Sequence, residues 1–214
     1  MLYDCRSPAD RDRGIEAAIE AVKNGELVVL PTDTVYGVGA DAFIPYAVKA
    51  LADTKGGARQ APPVLIGSRH TLDGLVFSLP RSARELVEAF WPGALTIVVE
   101  HSPSLAWDLG DSSGTVAVRM PLHPVALEVL RETGPMAVAS ANKVGQPAAL
   151  TAEEARDQLG YAVRAYLEAG PALDPVPSTI VDLTGEVPRV LRQGAVTLEK
   201  LRDVVPDILD ERGV

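Results

Sequence analysis

Cysteine is almost missing from this chain. Its 214 residues include one, Cys5, so no disulfide within the chain and no all-cysteine metal cage can form. Histidine is nearly as scarce: His70, His101 and His123 are scattered and none falls in an H-E-x-x-H pattern or near Cys5 at ligand spacing, which argues against a protein-held zinc site. Aromatic residues make up 5%. No apolar run approaches the ~20 residues that span a bilayer. Met1 leads into Leu-Tyr-Asp-Cys-Arg-Ser, without the basic start and apolar stretch of a secretory signal, and the expectation is a cytoplasmic protein. Positive charge is also short. Twenty Lys and Arg stand against 29 Asp and Glu, a formal net charge of −9. Stable unaided binding of tRNA or DNA, which grips phosphates through a basic face, is therefore disfavoured.

What is present is globular. Hydrophobic residues are 47%, charged residues 23% and the mean hydropathy is +0.11, which excludes disordered, collagen-like and disulfide-scaffold chains. The length suits one domain over residues 1–214. Helical spacing predicts helices over 11–24, 45–53, 81–90, 124–131, 152–159 and 198–209, and β-rich runs predict strands over 26–30, 64–66, 95–99, 115–120, 136–139, 179–183 and 190–191. Thr151 and Glu154 have capping-box spacing. The stretch 169–178, with three prolines and a glycine, reads as a surface loop. Interleaved helices and apolar strands give an α/β fold class.

Several motifs tempt and fail in context. Gly37-Val-Gly39-Ala-Asp-Ala42 fits G-x-G-x-x-A, but Phe43-Ile44-Pro45 delays the helix the dinucleotide motif requires, and Pro62-Pro63 occupy the region expected to hold its acidic residue. Ser140-Ala-Asn-Lys143 fits S-x-x-K, yet Val144-Gly145-Gln146-Pro147 breaks the necessary helix and the partner motifs are absent. There is neither a P-loop nor a G-x-S-x-G elbow.

Four stretches combine small residues, hydroxyls and isolated cations at strand ends, where open α/β sheets bind ligands. They are Pro31-Thr-Asp-Thr-Val-Tyr-Gly37; Lys55-Gly-Gly-Ala-Arg59; Thr115-Val-Ala-Val-Arg119-Met-Pro with Ser140-Ala-Asn142; and Ser178-Thr-Ile-Val-Asp182 with Leu191-Arg192-Gln-Gly194. The segment 42–72 is locally positive, through Lys49, Lys55, Arg59 and Arg69 against Asp53, which fits either a small anionic ligand or a solvated face. Taken singly, each stretch also has an ordinary reading as a turn or strand end. Arg119 suits that reading least: strand alternation puts it on one face with Thr115 and Ala117, where a guanidinium can hold a carboxylate bidentately.

Together with Phe90-Trp-Pro-Gly-Ala-Leu-Thr96, these stretches resemble the YrdC/Sua5 family of threonylcarbamoyl-AMP synthases, in its short form, over nearly the whole length. The resemblance implies a twisted, largely mixed sheet with flanking helices around a deep cavity. It implies formation of L-threonylcarbamoyladenylate and pyrophosphate from ATP, L-threonine and bicarbonate, for tRNA threonylcarbamoyladenosine modification by a separate transferase complex. It implies that Thr34, Arg119, Ser140 and Ser178 hold threonine, that Lys55, Arg59, Thr115, Asn142, Thr151 and Arg192 face the nucleotide, with Lys55 and Arg59 as the catalytic cations, and that Mg2+ arrives with ATP and no metal is held by the protein alone. Two departures stand out. Family members carry K-x-R where this chain has Gly57, the nearest arginine being Arg59, in a loop to Val64 one residue short; Ala148-Ala149-Leu150 makes the approach to Thr151 one residue long. Competing readings are a paralogous carbamoyl-adenylate-forming or weakened YrdC-like protein, and an RNA-binding module.

Overall fold

The computed structural model describes residues 1–57, 61–172 and 175–213. Along the chain run β1 (Leu2–Asp4), α1 (Pro8–Lys23), β2 (Leu27–Leu30), β3 (Gly37–Asp41), α2 (Pro45–Thr54), β4 (Val64–Leu65), α3 (Arg69–Leu75), α4 (Arg81–Phe90), β5 (Leu95–Glu100), β6 (Thr115–Arg119), α5 (Pro124–Thr133), β7 (Met136–Ser140), α6 (Ala152–Leu159), β8 (Val163–Glu168), β9 (Thr179–Asp182), β10 (Arg189–Arg192) and α7 (Leu198–Val204). The strands form a ten-stranded sheet in the order β1-β8-β2-β3-β7-β4-β6-β5-β9-β10. Parallel pairs (β1–β8, β2–β8, β4–β6, β5–β9) alternate with antiparallel ones (β2–β3, β3–β7, β4–β7, β5–β6, β9–β10), so the sheet is mixed.

Strand periodicity divides the interior in two. Val28 and Leu30 on β2, Met136 and Val138 on β7, and Ala165 and Leu167 on β8 turn to one face, where α1 and α5 cover them with Ile15, Ala18, Val22, Val125 and Val129. Their neighbours Leu27, Val29 and Ala137 turn to the other, which α2, α3, α4, α6 and α7 cover. Both faces are buried, which is why the strands read as continuous apolar runs. Burying one Leu or Val side chain contributes about 1.5–3 kcal/mol, so this two-sided core is the frame on which the strand ends are held. Among the described residues no helix is long and apolar enough to cross a membrane.

The predicted mixed α/β architecture is the observed one, with three local differences. The glycine-rich stretch 37–41, unassigned by pattern, is β3, pairing β2 and β7 on its two sides. Val163–Glu168, unassigned by pattern, is β8, buried between β1 and β2. The last helix stops at Val204 rather than 209, because Val205 precedes Pro206 and takes an extended backbone (φ −128°, ψ 91°).

Candidate active site

The strand end of β6 carries Arg119 into the interior, where it is 6% exposed. Its side chain is gripped on three sides. Nε donates to the Gly93 carbonyl at 3.0 Å, one terminal nitrogen donates to Thr34 Oγ1 at 3.0 Å, and the other donates to Asp33 Oδ1 at 2.6 Å. The turn that presents Asp33 and Thr34 is stitched by Thr32, whose Oγ1 accepts from the Thr34 amide (3.2 Å) and donates to the Val35 carbonyl (2.6 Å). Asp33 Oδ1 also accepts from the Leu122 amide at 2.8 Å, which ties the turn to the chain leaving β6. Gly93 is placed by its amide bond to the Met120 carbonyl (2.8 Å), and a Cβ there would stand 2.5 Å from the Phe90 carbonyl oxygen. The sequence segments P-T-D-T and F-W-P-G thus meet around one guanidinium. Burial disfavours its charge, Asp33 restores it, and the like charge of Arg192 opposes it; the net pKa direction is downward. Two of the five guanidinium N–H bonds have no partner among the described residues.

A second cation enters from the end of α2. Lys55 is 9% exposed, and its Nζ donates to the carbonyls of Ser140 (2.5 Å) and Asn142 (2.8 Å), with Asn142 Oδ1 at 3.5 Å. Asn142 in turn donates through Nδ2 to the carbonyls of Lys143 (2.9 Å) and Gln146 (2.8 Å), closing the turn after β7. Among the described residues no carboxylate pairs with Lys55; burial lowers its pKa. Gly56 and Gly57 follow with φ of +103° and +82°, a left-handed backbone that glycine adopts without strain. An arginine at 57 would be strained there, at a cost of roughly 1–2 kcal/mol. Arg59 lies outside the described residues.

The third wall is Ser178 with Arg192. Arg192 donates to the Ser178 carbonyl (2.7 and 3.1 Å) and to its Oγ (3.1 Å), and burial lowers its pKa. Thr179 Oγ1 accepts from the amides of Gly194 (2.9 Å) and Val196 (3.1 Å) and donates to the Val196 carbonyl (2.6 Å). A Cβ on Gly194 would collide with the Pro177 backbone. S-T-I-V-D and L-R-Q-G are therefore one unit, laced backbone to side chain.

The second and third walls border a cavity of about 950 Å³, lined by Lys55, Ser178 and Arg192 with Thr96, Ala117 and Ala139 among others; Arg119, Thr34, Ser140 and Asn142 are not on its lining. Of the β6 residues read as sharing one face, Ala117 is on the wall and Thr115 and Arg119 are not. Ser140 and Asn142 bond to Lys55, and Thr34 to Arg119. Two predicted nucleotide contacts sit elsewhere: Thr115 Oγ1 donates to the Ser112 carbonyl (2.8 Å), and Thr151 caps α6, accepting from the Glu154 amide at 3.1 Å. The capping expectation holds; neither threonine is on the cavity lining.

Sequence reasoning missed three groups. Asp33 was in view only as a turn residue, although an acid adjacent to a motif hydroxyl is a natural counter-ion for a buried arginine. Thr96 looked like an ordinary strand residue. Glu168, 2% exposed, accepts from the Ala152 amide (2.7 Å) and the Gly170 amide (2.5 Å), beside Tyr36 Oη at 3.2 Å. Burial raises its carboxyl, but the bonds from Glu153, Ala152, Gly170 and Tyr36 outweigh that and hold its pKa below the ordinary value, while Glu153 is raised. No pattern reached it because β8 itself was not recognised.

The family model for Sua5/YciO/YrdC, described as telomere recombination, matches residues 20–194. The chain belongs to this family. A protein of Mycobacterium tuberculosis H37Rv is 59% identical over 204 residues, 95% of this chain and 94% of its own. The threonylcarbamoyl-AMP synthase of Bacillus subtilis is 35% identical, over 95% of this chain and 60% of its own length. Among solved structures, Pyrococcus abyssi Sua5 complexed with L-threonine superposes with a TM-score of 0.90 at 32% identity, covering 98% of this chain and 62% of that one. E. coli YciO superposes at 0.76 and 25% identity, over 91% and 94%. The chain thus spans about three-fifths of the Bacillus and Pyrococcus proteins but nearly all of the mycobacterial protein and YciO.

Proposed function

We propose that this Sua5/YciO/YrdC-family protein is an L-threonylcarbamoyladenylate synthase, a nucleotidyltransferase acting on ATP, L-threonine and bicarbonate. The observation that carries the reading is a cavity with Lys55, Ser178 and Arg192 on its wall and a buried Arg119 held by Thr34, Asp33 and Gly93, in a chain whose fold matches a Sua5 bound to L-threonine. Arg119 receives the amino-acid carboxylate on its two remaining N–H bonds, next to Thr34, Ser140 and Ser178. Lys55, Asn142 and Arg192 receive the nucleotide phosphates. Arg59 is carried as a second phosphate cation on its sequence position alone, and Thr115 and Thr151 contribute by holding their segments.

The chemistry balances without a covalent enzyme intermediate. The threonine amine adds to CO2, drawn from bicarbonate, and loses a proton to give an N-carboxylate. One of its oxygens bonds to the α-phosphorus of ATP, the bond from that phosphorus to the bridging oxygen breaks, and pyrophosphate leaves. Such a transfer needs alignment and charge neutralisation, which fixed cations in a partly dry cavity supply. Magnesium belongs, in this proposal, to the triphosphate it arrives with; among the described residues no group of three His, Cys, Asp or Glu side chains gathers to hold an ion. The acidic net charge of −9 fits a small product passed on to a separate tRNA-transferase complex in the cytoplasm, without stable tRNA binding.

The test is release of pyrophosphate from purified protein. It is expected only when ATP, L-threonine and bicarbonate are all present. Equal release without threonine, or with carbamoyl phosphate in place of threonine and bicarbonate, overturns the assignment.

A further inference from the structure

Thr96 lies on β5 and is 2% exposed, yet it lines the cavity next to Ser178, which is 7% exposed. Strands β5 and β9 run parallel with Thr96 opposite Ile180; Ser178, two residues before Ile180 and so on the same face, is the diagonal neighbour of Thr96. Their hydroxyl oxygens are 2.8 Å apart.

Counting protons decides what this pair presents. A hydroxyl donates one hydrogen bond and accepts two, whereas a guanidinium only donates. Arg192 stands 3.1 Å from Ser178 Oγ, so one serine lone pair is taken. The two hydroxyls hold two protons and share one bond, which leaves a single proton uncommitted. If Ser178 donates to Thr96, the serine has no proton left for a ligand. If Thr96 donates to Ser178, both serine lone pairs are filled, by Arg192 and Thr96, and its proton has only the cavity to face. The deeper burial of Thr96 favours the second arrangement, because the more accessible hydroxyl is the one a ligand reaches.

We infer that Thr96 is a positioning residue for the amino-acid substrate: by donating to Ser178 it turns the serine proton toward an acceptor oxygen of threonine, its carboxylate or hydroxyl. This rests on the synthase reading above. Ser178 is then a pure donor at that position, and Thr96 acts through it without touching substrate.

The experiment measures KM for threonine and for ATP, by pyrophosphate release, in wild type, Thr96→Val, Thr96→Ser, Ser178→Ala and the Thr96→Val/Ser178→Ala double variant. Valine keeps the shape of threonine and removes the hydroxyl. The expected result is a threonine KM raised about threefold to tenfold in Thr96→Val, the scale of one hydrogen bond, with the ATP KM within about twofold. Thr96→Ser restores the wild-type threonine KM, and Thr96→Val adds nothing once Ser178 is alanine. An unchanged threonine KM in Thr96→Val, equal shifts for both substrates, or full additivity in the double variant overturns the inference. Should the valine variant fail to fold, Thr96→Ser alone decides, since a serine variant that loses threonine as strongly as Ser178→Ala also overturns it. Wild-type protein that releases no threonine-dependent pyrophosphate overturns the synthase reading and this inference with it, whereas active wild type with an unresponsive Thr96 overturns the inference alone.

Discussion

Arg119, at the end of strand β6, and Lys55, at the end of helix α2, are both buried cations, and they are held in opposite ways. Arg119 has a carboxylate, Asp33, at 2.6 Å and two further acceptors. Lys55 has carbonyl oxygens and no acid among the described residues. The difference matches the charge each end is proposed to receive. An amino-acid carboxylate brings one negative charge, and a guanidinium already paired with Asp33 offers it shape and two free N–H bonds rather than excess charge. A triphosphate brings several charges, and an ammonium with no carboxylate partner among the described residues keeps its charge for such a ligand. One wall is built for geometry, the other for charge.

The largest expected effect breaks the first wall. Asp33→Ala leaves a buried guanidinium unpaired and the Leu122 amide without its acceptor, so unfolding free energy falls by about 3–5 kcal/mol. Lys55→Met, equally buried, removes a charge that burial disfavours but leaves the Ser140 and Asn142 carbonyls without that donor, and is expected to lower stability by about 1–2 kcal/mol. Urea denaturation of the two variants side by side checks this. Similar losses for both would mean that Lys55 has a counter-charge as strong as that of Arg119.

Activity is expected to reverse that order. Lys55→Met lowers kcat/KM for ATP by about tenfold to a hundredfold, the value of a charge-assisted contact of roughly 1.5–3 kcal/mol, while calorimetry finds threonine binding kept. Arg119→Lys keeps the charge but loses the planar fork. It raises the threonine KM about tenfold and moves the ATP KM little; equal effects on the two substrates would merge the two walls into one.

How legible these walls were in the sequence follows from their physics. Periodicity found the buried strands β2, β5, β6 and β7, because two-sided burial writes continuous apolar runs. It placed Arg119 on the face of β6 that carries Ala117, because alternation is local. It could not read β3, where Gly37 and Gly39 interrupt the apolar pattern, since the reason for glycine there is the approach of Val138 from the neighbouring strand, a contact made across 99 residues or more. Nor could it pair Asp33 with Arg119 or Thr96 with Ser178. Those pairings depend on strand order, and the order β4-β6-β5-β9 brings together segments that lie far apart in the chain. The motifs themselves were legible as blocks; their partners were not.

The smallest expected effect sharpens the charge wall through pH. Burial lowers the pKa of Lys55 from the ordinary 10.5, so between its folded value and 10.5 the unfolded chain binds the proton that the folded one has released. Stability rises with pH wherever the unfolded state binds more protons, so this residue contributes a stability that grows as pH climbs toward 10.5 and is lost as pH falls through the folded value. Cys5, pushed up to about 11, and Tyr36, raised by burial, pull the other way over the same alkaline range, so the total curve hides the effect. The difference between wild type and Lys55→Met cancels them. Urea midpoints measured from pH 8 to 10.5 are expected to show wild type gaining on the variant as pH rises. A difference that stays flat would place the ammonium in an environment as favourable as water, which an anionic neighbour would provide, and the contrast with Arg119 would then fail.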